Sequence, residues 1–184
     1  MDSSNQLRMM VYASLFAALT AIGAFLAVPI GPVPIVLQNM FVYLAGLLMG
    51  SRWGLASVGV YLLAGACGLP VFAGGLGGIG RIVGPTGGYL IGYLPAVYII
   101  GKISARTHQR AVYDVLAMIC ATVVLYACGV SWLKIITGMT PAKALAVGMV
   151  PFLVGDALKI AAAAAIAKTL RPVIRVVDYK IKNT

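Results

Sequence analysis

Long apolar runs limit the folds open to this chain more than any other feature of its sequence. Six runs can be drawn, at about residues 7–28, 35–49, 53–67, 85–104, 113–136 and 141–170. Most have about the length that a helix needs to cross a bilayer. Only 10% of the 184 residues are charged, whereas charged residues form about a quarter of a typical globular chain. The sequence therefore predicts a single-domain, all-α integral membrane protein, with a bundle of six transmembrane helices over residues 1–184.

The basic residues divide unequally between the two ends of the predicted helices. The formal net charge is +10, and the chain has 14 lysines and arginines. With a cytoplasmic N-terminus, those that fall in outer segments are Arg81, Lys134, Lys143 and Lys159. The others lie in inner segments, as the positive-inside rule requires, so both termini are predicted to be cytoplasmic. Attraction to anionic lipid headgroups accounts for the basic tail, and we expect no nucleic-acid partner.

A glycine-dense segment at residues 68–93 joins the third and fourth apolar runs. Four of its glycines are crowded together: Gly74, Gly75, Gly77 and Gly78. Glycine permits positive φ and close approach of the backbone, at an entropic cost that favours a mobile loop. A ligand that orders the loop would explain such a composition. We therefore predict that this segment is an outward loop that forms the lid and wall of a binding site.

Glycine and proline also mark several helix boundaries. Gly84, Gly88 and Gly92 recur at the four-residue spacing that lets membrane helices approach closely. Proline is tolerated at the first helical position, so Pro85 predicts the start of the fourth helix. A threonine and a proline at positions 140 and 141 predict a capped start for the last helical stretch, and Pro151 should kink or divide it. The fifth helix is apolar on all sides and is predicted to be structural.

The first helix carries a stripe of small residues. Ala13, Ala17 and Ala21 recur at every fourth position, with Ser14 and Ala18 beside them. Two interpretations are open, because small residues allow close contact with any helix. The stripe either packs against another helix of the same chain or docks on a separate membrane subunit.

Two opposite charges lie within the last apolar run. Asp156 and Lys159 are three residues apart, so a helix places them on one face where they can pair. Facing lipid, each would cost about 2.5–3.5 kcal/mol. The pair is either a structural ion pair or the lining of a polar cavity. We favour the cavity because Arg81 and the glycine loop fall on the same side of the membrane.

The polar candidates together define a class of ligand. The amides Gln38 and Asn39 begin the second helix on the side of the glycine loop. A carboxylate accepts hydrogen bonds from ligand N–H groups, whereas lysine and arginine donate to a carbonyl or a carboxylate. The predicted ligand is therefore a small organic molecule with both kinds of group.

Other classes of function find little support in the residues. The sequence has no glutamate and a single histidine, His108, in a basic loop, so neither a catalytic triad nor a metal set can be assembled. Cys67, Cys120 and Cys128 lie in or beside apolar runs, which predicts small buried apolar residues and not a disulfide framework. We therefore expect no enzyme activity, no cofactor and no metal, and a passive channel would leave the glycine loop unexplained.

Four motifs in this order resemble the BioY family, the biotin-specific S component of energy-coupling factor (ECF) transporters. They are VPIVLQNMFVYLAGLLMG, GLPVFAGGLGGIG, GPTGGYLIGY and the D-x-x-K of Asp156 and Lys159. The resemblance covers nearly the whole chain. It implies six helices and an outward-facing biotin site that the loop between helices three and four closes. It also implies a bacterial-type plasma membrane as the location of the protein.

The resemblance further implies roles for individual residues. Asp156 and Lys159 match the polar pair of the family, and the further candidate contacts are Arg81, Tyr89, Gln38 and Asn39. An A-x-x-x-A surface, matched by Ala13 and Ala17, is implied to dock on a transmembrane coupling subunit that two cytoplasmic ATPases drive. Two alternatives remain open: an S component for another small carboxylate-bearing vitamin, and a membrane transporter that acts alone.

Overall fold

The computed structural model describes residues 3–28, 32–107 and 110–182, so His108 lies outside the described residues. Helices make up most of this part of the chain. Their bounds are α1 Ser3–Phe25, α2 Gln38–Ala66, α3 Ile79–Val83, α4 Gly87–Arg106, α5 Ala111–Thr137, α6 Pro141–Gly148 and α7 Leu153–Lys182. A 3₁₀ turn at Val150–Phe152 separates α6 from α7.

The chain reverses its direction within α2. Gly50, at φ 75° and ψ −176°, interrupts its helical geometry. The Gln38 amide donates a hydrogen bond of 2.9 Å to the Tyr61 hydroxyl, although 23 residues of straight helix would separate them by about 35 Å. Residues 38–49 and 51–66 are therefore two antiparallel helices joined at Gly50. With α1, α4, α5 and α7 they form six long helices, as the sequence predicted.

Five of the described helices are long and apolar enough to cross a membrane. They are α1, α2, α4, α5 and the stretch from Pro141 to Pro172. Since α2 contains two antiparallel halves, its 29 residues form a hairpin and do not form one long span. The prediction of an all-α membrane protein is confirmed.

The first two predicted helices overran an extended segment. Helix α1 ends at Phe25, and residues Ala27–Val28 (β1) and Ile35–Val36 (β2) pair as two short antiparallel strands. These strands are apolar, so hydropathy alone could not separate them from the neighbouring helices. Pro32 and Pro34 lie between the strands and restrict the local backbone to extended conformations.

The glycine-rich segment contains a helix that the sequence did not predict, and α4 begins later than expected. The short helix α3 interrupts the segment at Ile79–Val83, and α4 starts at Gly87, not at Pro85. Gly87 and Gly88 lie against Trp132 of α5, where a Cβ on Gly88 would come within 2.3 Å of the Trp132 Cβ. The start of α4 is thus decided by contact with α5, which is a tertiary effect.

The glycine spacing on α4 serves close packing between helices of the same chain. Gly88 and Gly92 face Leu125, Cys128 and Trp132 of α5. The predicted close contact is therefore confirmed for these two glycines, whereas Gly84 precedes the helix.

The last helical stretch is divided as its prolines and threonine predict. The Thr140 side chain accepts a hydrogen bond of 3.4 Å from the Lys143 backbone N–H, and Pro141 is the first residue of α6. Pro151 lies in the 3₁₀ turn, where its missing N–H is easily tolerated. Both predictions are confirmed.

Burial corrects two expectations about small residues. Ala13 and Ala17 are only 4% and 7% exposed, so they pack inside the chain, which supports the first of the two interpretations of the stripe over docking on another subunit. Their neighbours Ser14 and Ala18 are exposed, because one position along a helix turns the side chain by about 100°. Cys67 and Cys120 were expected to be buried but lie exposed on the outside of the bundle, where lipid can solvate an apolar thiol, and Cys128 is half-buried.

A buried ion pair ties the bundle together at the end opposite the glycine loop. The Arg171 guanidinium donates to the Asp114 carboxylate, to the Ser104 hydroxyl at 2.9 Å and to the Leu47 carbonyl at 3.1 Å. Ser104 also donates to Asp114 at 2.7 Å. This cluster joins α2, α4, α5 and α7, and the sequence analysis did not single it out.

Candidate ligand-binding site

A cavity of about 350 Å³ lies between two loops at the end of the bundle that carries the glycine loop. This volume is within the range of about 300–1,000 Å³ that small-molecule sites occupy. One wall comes from the segment around β1 and β2, the other comes from the glycine loop, and the floor comes from α2 and α4. The lining residues are Ala27, Pro32, Val33, Pro34, Val36, Gln38, Phe72, Ala73, Gly74, Leu76, Arg81, Thr86, Tyr89, Leu90 and Tyr93. The cavity is mostly apolar, with few polar groups.

The glycine loop bends sharply over this cavity. Phe72 and Leu76 pair as an isolated β-bridge, and the turn between them contains Gly74 and Gly75 at φ 76° and 71°. These positive φ values disfavour any residue with a Cβ. Gly77 is required for a different reason, because a Cβ there would lie 2.3 Å from the Leu69 carbonyl oxygen.

A second, narrower cavity of about 40 Å³ adjoins the first. The two share the walls formed by Val33, Pro34, Val36, Tyr89 and Tyr93. The narrow cavity adds the polar side chains of Asn39, Tyr126, Asp156 and Lys159. A ligand with an apolar chain and a compact polar head could therefore extend from one cavity into the other.

The buried charges of α7 lie at the narrow end. The Lys159 ammonium donates to Asp156 Oδ1 at 2.9 Å, and the two residues are only 6% and 3% exposed. Helix α7 begins at Leu153 after the 3₁₀ turn, which places both side chains within its first two turns. A buried pair of this kind must have its remaining hydrogen-bonding capacity satisfied, because burial removes water from both ions.

Neighbouring polar side chains provide hydrogen bonds to the Asp156 carboxylate. The Tyr126 hydroxyl donates to Asp156 Oδ2 at 2.5 Å, and the Asn39 amide donates to Oδ1 at 3.4 Å. Tyr93 in turn donates to the Asn39 carbonyl oxygen at 2.6 Å. The carboxylate thus accepts from α2 and α5 as well as from Lys159, and α4 orients the Asn39 side chain.

The remaining predicted residues line the larger cavity. Gln38 lies on its floor, with its amide on the Tyr61 hydroxyl, and half-buried Arg81 lies on α3 at its wall. The Tyr89 ring lines both cavities, while its hydroxyl donates to the Gly148 carbonyl at 2.6 Å. Asp156 and Lys159 therefore lie together, and Arg81 lies in the adjoining cavity. Among the predicted loop glycines, Gly74 is the one that lines the cavity.

Sequence reasoning missed several aromatic residues of the site. Tyr126 lies on α5, which was predicted to be structural, yet its hydroxyl contacts Asp156 and it lines the narrow cavity. Tyr61, Phe72 and Tyr93 were also missed, because an aromatic residue in an apolar run gives no sign of which neighbour it will meet. The four-residue spacing of Tyr89 and Tyr93 was the one available signal, since it places both rings on one face of α4.

These features define a class: a membrane helical bundle with a loop-covered site for a small ligand that is both apolar and polar. The BioY family model matches residues 1–176. A probable biotin transporter BioY of Pyrococcus horikoshii is 43% identical over 158 residues, which cover 86% of this chain and 93% of that protein. The biotin transporter BioY of Thermotoga maritima is 39% identical, with 90% and 96% covered. The chain belongs to the BioY family.

A solved structure agrees with this assignment. The crystal structure of the S-component for biotin from an ECF-type ABC transporter superimposes with a TM-score of 0.88 at 30% identity. The match covers 94% of this chain and 95% of that one. The family resemblance seen in the sequence is confirmed. The named relatives are transporters and not enzymes, which confirms the prediction that this chain is not an enzyme.

Proposed function

We propose that this protein is the biotin-binding S component of an ECF-type transporter. The observation that carries the proposal is the buried Asp156–Lys159 pair at the narrow end of a mostly apolar, loop-covered cavity, in a chain of the BioY family. Buried charges inside a membrane bundle are costly and usually mark a pathway or a binding site. The relatives described as biotin transporters support biotin as the ligand.

The chemistry of the two cavities suits the two ends of biotin. The ureido ring has two N–H donors and one carbonyl, and its sulfur ring and tail are apolar. In the narrow cavity, Asp156 accepts from a ureido N–H, and Lys159 donates to the ureido carbonyl. The tail then occupies the larger cavity, where Arg81 on α3 is the group that can pair with the carboxylate.

Orientation in the membrane follows from the distribution of charge. Arg52 lies beside the Gly50 reversal, and Lys102 and Arg106 lie at the end of α4, all at the end of the bundle away from the cavity. The positive-inside rule places that end and both termini in the cytoplasm. The six long helices then cross the bilayer, and the site opens to the outside.

The energy for uptake comes from partner subunits. The sequence contains no phosphate-binding loop, which would require a lysine and a serine or threonine after the glycines. A transmembrane coupling subunit and cytoplasmic ATPases therefore complete the transporter. The exposed Ser14 and Ala18 of α1 supply the small surface on which a partner helix can approach closely.

A fluorescence titration tests the ligand. The Trp132 indole donates to the Gly84 carbonyl at 2.9 Å, so this tryptophan reports on the end of the glycine loop. Saturable quenching or enhancement by biotin, and none by lipoate, would support the assignment, because lipoate has the carboxylate tail without the ureido ring. Binding of another carboxylate-bearing vitamin in place of biotin would overturn it. Uptake by vesicles that lack the coupling subunits would instead identify a transporter that acts alone.

A further inference from the structure

The glycine loop is held by a single buried side chain. In residues 67–86, all of which the structure describes, Phe72 is the only buried residue, at 2% exposure. The neighbouring residues of the turn are more exposed than Phe72, and Leu76 is 41% exposed. Burial of apolar surface is the main source of stability for such a segment. Val71 and Ile82 of the same segment also pack against the core but are only half-buried, so the Phe72 ring is the most deeply buried attachment of the loop to the bundle.

The Phe72 ring packs into a space beside Gly65 and Tyr61, called its seat here, and this space exists because residue 65 has no side chain. A Cβ on Gly65 would lie 2.1 Å from the Phe72 Cζ and 2.3 Å from its Cε1. The other side of the seat is Tyr61, whose ring meets Phe72 edge-on with centroids 5.6 Å apart. Edge-to-face contact is one of the preferred arrangements of two aromatic rings and adds to the effect of burial.

Backbone hydrogen bonds of the loop also involve Phe72 and Gly65. The Phe72 N–H donates to the Leu76 carbonyl at 2.8 Å, and the Gly75 N–H donates to the Phe72 carbonyl at 3.0 Å. The Gly78 N–H donates to the Gly65 carbonyl at 2.7 Å. If the ring leaves its seat, these bonds lose the alignment that keeps the loop over the cavity.

The seat is also connected to the candidate site. Tyr61, which forms one side of it, accepts the hydrogen bond from Gln38, and both Gln38 and Phe72 line the larger cavity. A bound ligand that contacts the cavity face of Phe72 would favour the seated ring. Conversely, a seated ring keeps Gly74 and Leu76 over the ligand.

We propose that Phe72, seated between Gly65 and Tyr61, is the latch that holds the glycine loop closed, and that the ligand leaves only after this ring is released. Phe72 is thus a positioning residue for ligand retention. The identity of the ligand as biotin rests on the proposed function, whereas the latch itself rests on the contacts of Phe72.

The decisive variant is Gly65→Ala, which fills the seat with one methyl group. Its matched control is Gly59→Ala in the same helix, where a Cβ meets nothing within 4 Å. Phe72→Ala is a second variant that leaves the helix unchanged and removes the ring. Thermal unfolding in detergent shows that each protein is folded.

Two measurements are made on each protein. Release of radiolabelled biotin into excess unlabelled biotin should be about tenfold faster in Gly65→Ala and Phe72→Ala than in the parent, since changes at a binding site act mostly on release. Hydrogen exchange of residues 67–80 without ligand should be faster in the same two variants. Gly59→Ala should match the parent in both.

The outcomes separate the latch from the proposed function. Parent-like release and parent-like loop exchange in folded Phe72→Ala would overturn the latch. If the parent does not bind biotin, the proposed function fails, and exchange of the ligand-free loop still decides on the latch.

Discussion

Replacing Lys159 with methionine tests the central pair of the site. Methionine keeps most of the apolar stem of the side chain but removes the ammonium, which lies 2.9 Å from Asp156 Oδ1. Asp156 then keeps the hydrogen bonds from Tyr126 and Asn39 and loses its counter-charge. The same substitution at Lys168, which is exposed on the same helix, is the matched control.

Two magnitudes follow from this geometry. Removing one partner of a buried ion pair costs about 3–5 kcal/mol of stability, because the remaining charge is uncompensated. Losing one hydrogen bond from a charged donor to the ligand costs about 1.5–3 kcal/mol. At about 1.36 kcal/mol per factor of ten, the second cost weakens biotin binding by about ten- to 150-fold. Lys159→Met should therefore lower both the unfolding temperature and the affinity.

A double variant separates these two effects. Asp156→Asn combined with Lys159→Met removes both charges and keeps an oxygen that can accept from Tyr126. Its unfolding temperature should return towards that of the parent, while biotin binding, measured by calorimetry, should stay as weak as in the single variant or become weaker. Parent-like affinity in the folded single and double variants would refute the reasoning and make the pair structural.

Three further predictions concern other parts of the molecule. Tyr126→Phe removes the 2.5 Å hydrogen bond to the Asp156 carboxylate. Biotin affinity should fall about tenfold with little change in fold, which is the usual effect of losing a hydrogen bond to a charged group. Unchanged affinity would show that the other donors suffice. Gly78 has a φ of 92°, which a residue with a Cβ rarely adopts, so Gly78→Ala should loosen the glycine loop and speed hydrogen exchange there. Gly80→Ala meets no atom within 4 Å and should not change the exchange. Equal exchange in the two variants would contradict a conformational requirement at Gly78. Leucine at both Ser14 and Ala18 should leave biotin binding intact and abolish ATP-driven uptake with the coupling subunits, because a partner helix is held away; uptake at the parent rate would place the docking surface elsewhere.

Features that depend on local chemistry could be predicted from the sequence. Apolar runs of bilayer length identify an all-α membrane protein because a continuous run of that length satisfies its own backbone hydrogen bonds in lipid by forming a helix. The cap at Thr140 and the division at Pro151 follow from the chemistry of two residues. The spacing of Asp156 and Lys159 places them on one helical face, and the structure shows them paired.

Features that depend on rotation and on distant partners required the tertiary structure. A helix turns by about 100° per residue, so nothing in the stripe of small residues could decide that Ala13 is buried and Ser14 is exposed. Tyr126 meets Asp156 across 30 positions of sequence, and a tyrosine in an apolar run looks like any other core residue.

The glycine loop shows both halves of this division. Its glycines predicted a segment with unusual backbone geometry, and the positive φ values of Gly74, Gly75 and Gly78 agree with that prediction. The sequence could not show which side chain holds the segment, because the seat of Phe72 consists of an absent side chain at Gly65 and the ring of Tyr61, both on α2. Composition by itself determined that the loop could bend, and its packing against α2 decided where it rests, since close contact depends on how side chains meet in space and not on composition.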